Sequence, residues 1–577
     1  MRSIFAILAS MVLFVSSTAV GAADDSKSSD KEKNYGHYHV FHNANGYSFN
    51  NGIGEQAELV QFSVLVTKKG KIVAIGDDSL LEEYKGAHKV NVRGQTMIPG
   101  IIDAHGHISS LGENLLQIDL RGLTSRTAAV AKVANYAHDH QDQEWLIGRG
   151  WNQELWPDRR FPSRTDLDEV VSDRPVWLVR VDAHAGWANS KALELAGITR
   201  DSVDPPGGQI IRDADGYPTG VLIDTAMYMV QDVMPSLSDA QLRHAVSLAF
   251  DHLLALGITQ VHDAGVEQRE IELFKEMSEN KELPLRVNAM ISGRDPHLGA
   301  WLESGPYRDE YDRLQVNSVK LYGDGALGSR GAALIEPYSD DEGNTGLVIT
   351  PEDDVKRLFG MIHQAGFQIN YHAIGDYTNK LALDTFESLY QAEAMLEDAW
   401  HTDPRHRIEH AQVVRVEDIP RFFELGVIPS MQPTHATSDM NMAEDRVGSE
   451  RIAGAYAWRK FLDQGSLIAA GSDFPVELAN PFYGIHAAVT RQDRDNQPVE
   501  GWYPEQRMTV AEAIRSFTID AAYAGHLESR TGSLEPGKWA DFLILSHDPF
   551  KIKPEHLWRI RVEQTYVAGK RHYQRAH

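Results

Sequence analysis

Two histidines one residue apart, in DAHGH at residues 103–107, follow the apolar run MIPGII. In an extended strand the side chains of residues i and i+2 leave the same face, so His105 and His107 aim together. The glycine between them leaves room for another group to approach closely. Two imidazoles presented side by side are the beginning of a divalent-metal site. The same spacing recurs at His138 and His140, within KVANYAHDHQDQE. That stretch reads as a helix with a polar C-terminal end, and on a helix residues i and i+2 do not face each other. The second pair is therefore expected at the solvated surface. By itself the first pair is equally compatible with two hydrogen-bonded core imidazoles.

Groups of the same chemical kind recur in other apolar segments. His372 closes FQINYH, His410 closes RIEH, Asp473 closes LIAAGSD, and Lys320 lies within VNSVKLYGDG. Four imidazoles and a carboxylate suit zinc or a similar divalent cation. Any one of these residues alone would read as an ordinary core or surface group. Their placement in successive strands is what makes a shared site the expectation.

The elements that must position them follow from the pattern around them. MIPGIIDAHGH, GITQVHDAG, PLRVNAMIS, VNSVKLYGDG, FQINYHAIGD, HRIEHAQ, GVIPSMQPTHA and GSLIAAGSDFPV read as eight strands, mostly separated by amphipathic helical patterns. Repeated βα units of this number predict an α/β fold, a closed (β/α)8 barrel, with its chemistry at the C-terminal strand ends. Between the first and second strands lie about 150 residues, too many for a bare loop. They are expected to form an inserted subdomain over that face, at about residues 120–240. Both chain ends read instead as sheet: VQFSVLVTKKGKIVAIGD is a hairpin turning at Lys69-Gly70, and ADFLILSHDPF with RIRVEQTYVAGKRHY forms its counterpart. The expected organisation is a composite β-sandwich from residues 35–96 and 526–577, around a barrel spanning residues 97–525.

Bulk properties agree with an enzyme of this size. The 577 residues carry a formal net charge of -26, which argues against a nucleic-acid groove or an anionic membrane surface. The chain has no cysteine, so neither a disulfide nor a lipid-modified cysteine is available. Met1-Arg2-Ser3, the apolar run Ile4 to Val15, and the small residues before Ala23 read as a signal peptide over residues 1–23. Residues 24–34 read as a charged, serine-rich tether. The mature chain is expected in the periplasm or outside the cell, without stable membrane association; a homodimer is allowed, and the sequence leaves the oligomeric state open.

These motifs resemble the amidohydrolase superfamily, and within it the group of N-substituted formamide deformylases, amidohydrolase family 3. The specific pieces are IPGIIDAHGH, VKLYGDGALGSRGAAL, YHAIGD, RIEHAQ and GSDFPV, with WNQELWP, HAGWANSKAL and TGSLEPGKWADFLIL in support. The resemblance covers nearly all of the chain after the tether. It implies that His105 and His107 hold the more buried of two metals, and that His372 and His410 hold the second. It implies that Lys320 is N6-carboxylated and bridges them, and that Asp473 binds the first metal and acts as general base. A plain Lys320 ammonium, paired with Asp324 or a substrate carboxylate, is the alternative. The implied reaction is hydrolysis of a non-peptide C–N bond in a small N-acyl or N-formyl amide. Hydrolysis of a cyclic amide, imine or ester at the same site, or non-catalytic capture of a small molecule, are the other readings.

Further residues have two readings each. His184 in DAHAGWANS, near Trp187 and Asn189, is either a substrate contact or part of a turn before a helix. Trp151, with Asn152 and Trp156, either lines a pocket or packs the insertion. Arg330 either meets a substrate carboxylate bidentately or forms a surface salt bridge. His262 is expected at a strand end near the metals without being a ligand, and His37, His39 and His42 are expected at the sandwich surface.

Overall fold

The structure is a computed structural model and describes residues 36–141, 143–235, 237–395 and 403–576. The expected signal peptide and tether lie outside the described residues. Eight parallel strands run in sequential order: β1 Ile101–Gly106, β2 Ile258–Val266, β3 Arg286–Ser292, β4 Leu314–Tyr322, β5 Gln368–Ala373, β6 Arg407–His410, β7 Ile428–Met431 and β8 Ala469–Ala470. The seam between first and last is closed just beyond β8. There Gly106 bridges Phe474, Asp473 N donates to His105 O at 2.7 Å, and His107 N donates to Phe474 O at 2.9 Å.

Alternation within each strand separates the two faces. In β5, Ile369, Tyr371 and Ala373 join the apolar core, while Gln368, Asn370 and His372 lie on the opposite face. The helices complement the outward side. Asp239–Ala255 begins with a reciprocal cap between Ser238 and Gln241, and buries Leu242, Val246, Phe250 and Leu253 against the barrel. Glu352–Gln364 does the same with Val355, Phe359 and Ile362.

The run MIPGII is two strands rather than one. Thr96–Pro99 pairs with Asn45–Asn50 and Phe542–Leu545 in a six-stranded sheet, and β1 starts only after Gly100. A Cβ on Gly100 would lie 2.2 Å from Thr259 Oγ1, so glycine is what permits the crossing from one sheet to the other. That sheet has the order Lys570–Gln574, Val562–Val567, Phe542–Leu545, Thr96–Pro99, Asn45–Asn50, Glu58–Phe62. It packs with a four-stranded sheet containing the hairpin Val64–Lys68 and Lys71–Gly76, through Phe41, Leu65, Met97, Phe542 and Tyr566.

The insertion after β1 is a six-stranded sheet between Ile118 and Asp224, with its own apolar clusters. No helix of the described residues is long and apolar enough to cross a membrane.

Candidate metal centre

His105, Lys320, His372 and His410 come together at the C-terminal ends of β1, β4, β5 and β6, joined by His107 one residue past β1 and by Asp473 from the closing seam. Donor atoms of His105, His410 and Asp473 all lie within 4.8 Å of one another. Lys320 Nζ is 3.0 Å from His105 Nε2, and Asp473 Oδ1 is 3.0 Å from His107 Nε2. The His372 and His410 rings are 4.4 Å apart, and those of His105 and His410 4.9 Å. His105 is fully buried, as are Lys320 and His410 to within a few per cent.

Each imidazole is oriented by what holds its outer nitrogen. His105 Nδ1 meets the Glu409 carboxylate. His107 Nδ1 meets Ala264 O at 2.8 Å, and His410 Nδ1 meets Gln432 Oε1 at 2.8 Å. All three partners are acceptors, so Nδ1 carries the proton in each ring and the Nε2 lone pair faces inward. His372 differs: its Nε2 lies 3.4 Å from Asp324 Oδ1.

Two of these residues depend on unusual backbone. His410 has φ 72° and Asp473 φ 60°, both in the left-handed region that non-glycine residues rarely occupy. In β6 the inward face belongs to Arg407 and Glu409, so plain alternation would send His410 outward with Ile408. The left-handed turn redirects it. Asp473 does not end a strand, as LIAAGSD suggests; β8 stops at Ala470, and the seam hydrogen bonds place the aspartate.

The electrostatics follow from burial. Desolvation pushes the Lys320 amine down to about 8 and His105 down to about 4, and holds His372 and His410 well below the ordinary imidazole value. Asp473 is lowered as well, against the effect of its burial: a proton or cation at His107 Nε2, 3.0 Å away, and the surrounding imidazoles hold it well below the usual carboxylate range. Asp324 does not pair with Lys320: its carboxylate accepts from the backbone of Ala333, Ile374 and Gly375 and from Thr378 Oγ1.

Three participants went unread in the sequence. Glu409 orients His105 and is itself held by Arg407, whose Nε lies 2.8 Å from Oε1. A charged pair alternating with Ile408 inside an apolar strand was the available signal. His435 follows β7, its Nε2 3.7 Å from Asp473 Oδ2 and its ring stacked on His410 at 5.9 Å. It stands in MQPTHA, after a strand that was recognised. Asp103 accepts from Ser472 N and Oγ across the seam.

Trp151 is buried in the insertion core, its indole N–H donating to Leu178 O at 2.8 Å among Trp156, Phe161 and Trp187. Arg330 grips Asp340 with two hydrogen bonds of 3.1 and 2.9 Å. His184 Nδ1 pairs with Asp224 Oδ1 at 2.8 Å, which raises the imidazole's affinity for a proton; none of its contacts is with the histidine cluster. Asn189 caps the helix Ser190–Leu195. His262 stands within β2 rather than at its end, buried against Arg407 Nη1 at 2.9 Å. His138 is 82% exposed at the last turn of its helix, and His140 stacks on Tyr136. In the insertion, burial lowers the Arg149 guanidinium, opposed by the charges of Asp473 and Asp182.

A parallel eight-stranded barrel with histidines, a lysine and an aspartate converging at its C-terminal strand ends defines a metal-binding hydrolase. A sequence profile of the amidohydrolase family matches residues 89–573, and the chain belongs to that family. It is 32% identical over 524 residues to the protein LONG AFTER FAR-RED 3 of Arabidopsis thaliana, covering 88% of each chain. It is 32% identical to the putative amidohydrolase YtcJ of Bacillus subtilis, covering 88% of this chain and 95% of that one. It is 27% identical to the N-substituted formamide deformylase of Arthrobacter pascens, covering 88% and 94%. An uncharacterised metal-dependent hydrolase from Pyrococcus horikoshii OT3 superposes with a TM-score of 0.73 at 28% identity, covering 90% of this chain and 99% of that one. The protein is thus an enzyme, a hydrolase acting on carbon–nitrogen bonds other than peptide bonds.

Proposed function

We propose that the enzyme hydrolyses an N-acyl or N-formyl amide with zinc, or a similar divalent cation, held by the histidine cluster. The contact between His107 and Asp473 carries this reading. With its proton on Nδ1, His107 presents a lone pair to a carboxylate oxygen 3.0 Å away. Two acceptors at that distance require a second proton on the ring or a shared cation. The inward Nε2 atoms of His105 and His410 beside them favour the cation.

In this reading His105, His107 and Asp473 hold one ion, and His372 and His410 a second. Lys320, N6-carboxylated, is shared. The lowered amine of Lys320 supports the modification, because only the neutral amine adds carbon dioxide. A bound divalent cation supplies Lewis acidity, lowering the pKa of water toward about 7 and polarising the carbonyl. Asp473 takes the proton of the attacking water and delivers it to the leaving nitrogen, which departs as an amine. Glu409 and Arg407 keep His105 in the required tautomer and orientation. The similarity to the N-substituted formamide deformylase of Arthrobacter pascens supports the amide class. Export to the periplasm or beyond is part of the proposal and rests on residues 1–23 alone.

The test is amine release by the purified zinc-loaded protein across N-formyl, N-acyl and cyclic amides. A chelator-sensitive signal on an acyclic member is the expected result. Silence on all amides, with metal shown to be bound, would overturn the amide assignment. Turnover confined to cyclic amides or esters would replace it with that chemistry.

A further inference from the structure

We propose a second ligand site, for a small organic anion with a flat apolar body, at the end of the barrel opposite the histidine cluster. A cavity of about 440 Å³ opens where β3 and β4 begin, between Pro284 and Arg313 on the barrel side and Trp539 and the edge strand Lys570–Gln574 on the sandwich side. Its volume lies in the ordinary range for small-molecule sites. None of its lining residues belongs to the metal centre, and the inference does not depend on the amide assignment.

The charge of this cavity opposes that of the molecule. The chain carries -26 overall, yet the cavity is lined by the cations Lys281, Arg313 and Lys570, with the His572 imidazole, pushed down to about 4 by burial and its cationic neighbours, beside them as a neutral group. Glu282 is the acidic side chain among the lining residues, and it is already neutralised by Arg243 at 2.8 Å. The acids behind the wall are committed as well: Asp541 pairs with Arg286 at 2.6 Å, and Asp312 accepts from the Trp539 indole at 2.7 Å.

The cations are poorly served by the protein itself. Arg313 donates to Pro284 O at 3.0 Å, and among the described residues no carboxylate ion-pairs with it. Burial pushes its guanidinium down to about 10, reinforced by Arg286. Among the described residues His572 Nε2 is buried without a hydrogen-bond partner; Lys71 Nζ, outside the lining, is likewise buried and lies 3.4 Å from the centre of the Trp539 ring. An unpaired buried polar group costs stability, and a bound acceptor would recover part of it. The apolar wall suits a flat body: Trp539 and Leu283 line it, and Tyr311 is left 44% exposed at the rim. A guanidinium beside an ammonium over aromatic rings selects a carboxylate, sulfonate or phosphate carried on an aromatic or similarly flat skeleton.

The probe is 1-naphthalenesulfonate, a flat monoanion and a weak zinc ligand, titrated calorimetrically into the zinc-loaded full chain. Binding of one probe per chain is expected, weakened by added salt. Arg313→Gln and Lys570→Gln should each weaken it about tenfold, the loss of one charge-assisted contact. Lys570 is exposed, so its variant should fold normally. His410→Ala should leave the affinity unchanged. No binding at millimolar probe, unaltered affinity in both cavity variants, or loss of binding in His410→Ala would each overturn the proposal.

Discussion

At the scale of single residues the site separates groups that react from groups that orient. In the proposed reaction Asp473 moves a proton, and the groups packed around its carboxylate hold it well below the usual carboxylate range. Asp473→Asn retains the shape and removes the base. Turnover should fall by about 10²–10⁴, with the melting temperature little changed; near-normal activity would remove Asp473 from the proton transfer. Glu409 acts one step back, through His105. Glu409→Gln keeps an acceptor for Nδ1 but leaves buried Arg407 without its charge partner. Zinc affinity should fall about 10–100-fold, measured by competition with a chromophoric chelator. An unchanged affinity would mean that Glu409 serves only the packing of Arg407.

At the scale of elements, the glycine of H-x-H has a specific neighbour. A Cβ on Gly106 would lie 2.3 Å from Phe474 Cε1, so the close approach is made by the ring that closes the barrel. Gly106→Ala should push Phe474 aside and loosen the seam that places Asp473. A loss of about 1–3 kcal/mol is expected in denaturant melts, with weaker zinc binding; wild-type stability would show that the ring relocates freely. The interior of β2 offers a second test. Burial and Arg407 hold the His262 imidazole well below the ordinary imidazole range. The unfolded chain takes up a proton there as pH falls below about 6.5, while the folded chain does not. This group's contribution is therefore present above that pH and lost as pH falls further. His262→Gln should show a shallower decline in melting temperature from pH 6.5 to 5, and parallel profiles would assign the acid sensitivity to other groups.

At the scale of the whole molecule, the metal centre joins segments from across the chain. His107 and Asp473 are in contact although 366 positions apart, and hydrogen bonds across the seam join β1 to the residues just beyond β8. A cation held by several strand ends binds the folded state and not the unfolded one, so it must stabilise the barrel by mass action. At free zinc about 100-fold above Kd the gain is about 2.7 kcal/mol, and each further tenfold adds about 1.4 kcal/mol. Melting temperatures measured over a series of buffered zinc concentrations should rise accordingly. A melting temperature independent of zinc would exclude tight binding at this cluster.

The architecture was legible in the sequence, as were most of the side chains that the barrel gathers at one end. Apolar strands alternating with amphipathic helices are local patterns, and a histidine, lysine or aspartate late in each is visible in a few residues around it. The rejection of His138 and His140 followed from helix geometry alone. What only the tertiary structure decided depends on pairs distant in sequence or on backbone that pattern cannot reveal. Gly100 divides MIPGII because Thr259, far along the chain, leaves no room for a side chain. His410 reaches the centre because its φ is positive, against the alternation that buries Glu409. That Trp151 packs in the insertion core and that Arg330 pairs with Asp340 were not visible in the sequence around either residue. Glu409 and His435 joined the site because a folded barrel brings β1, β6, β7 and β8 to one point, and no local spacing records which neighbour meets which.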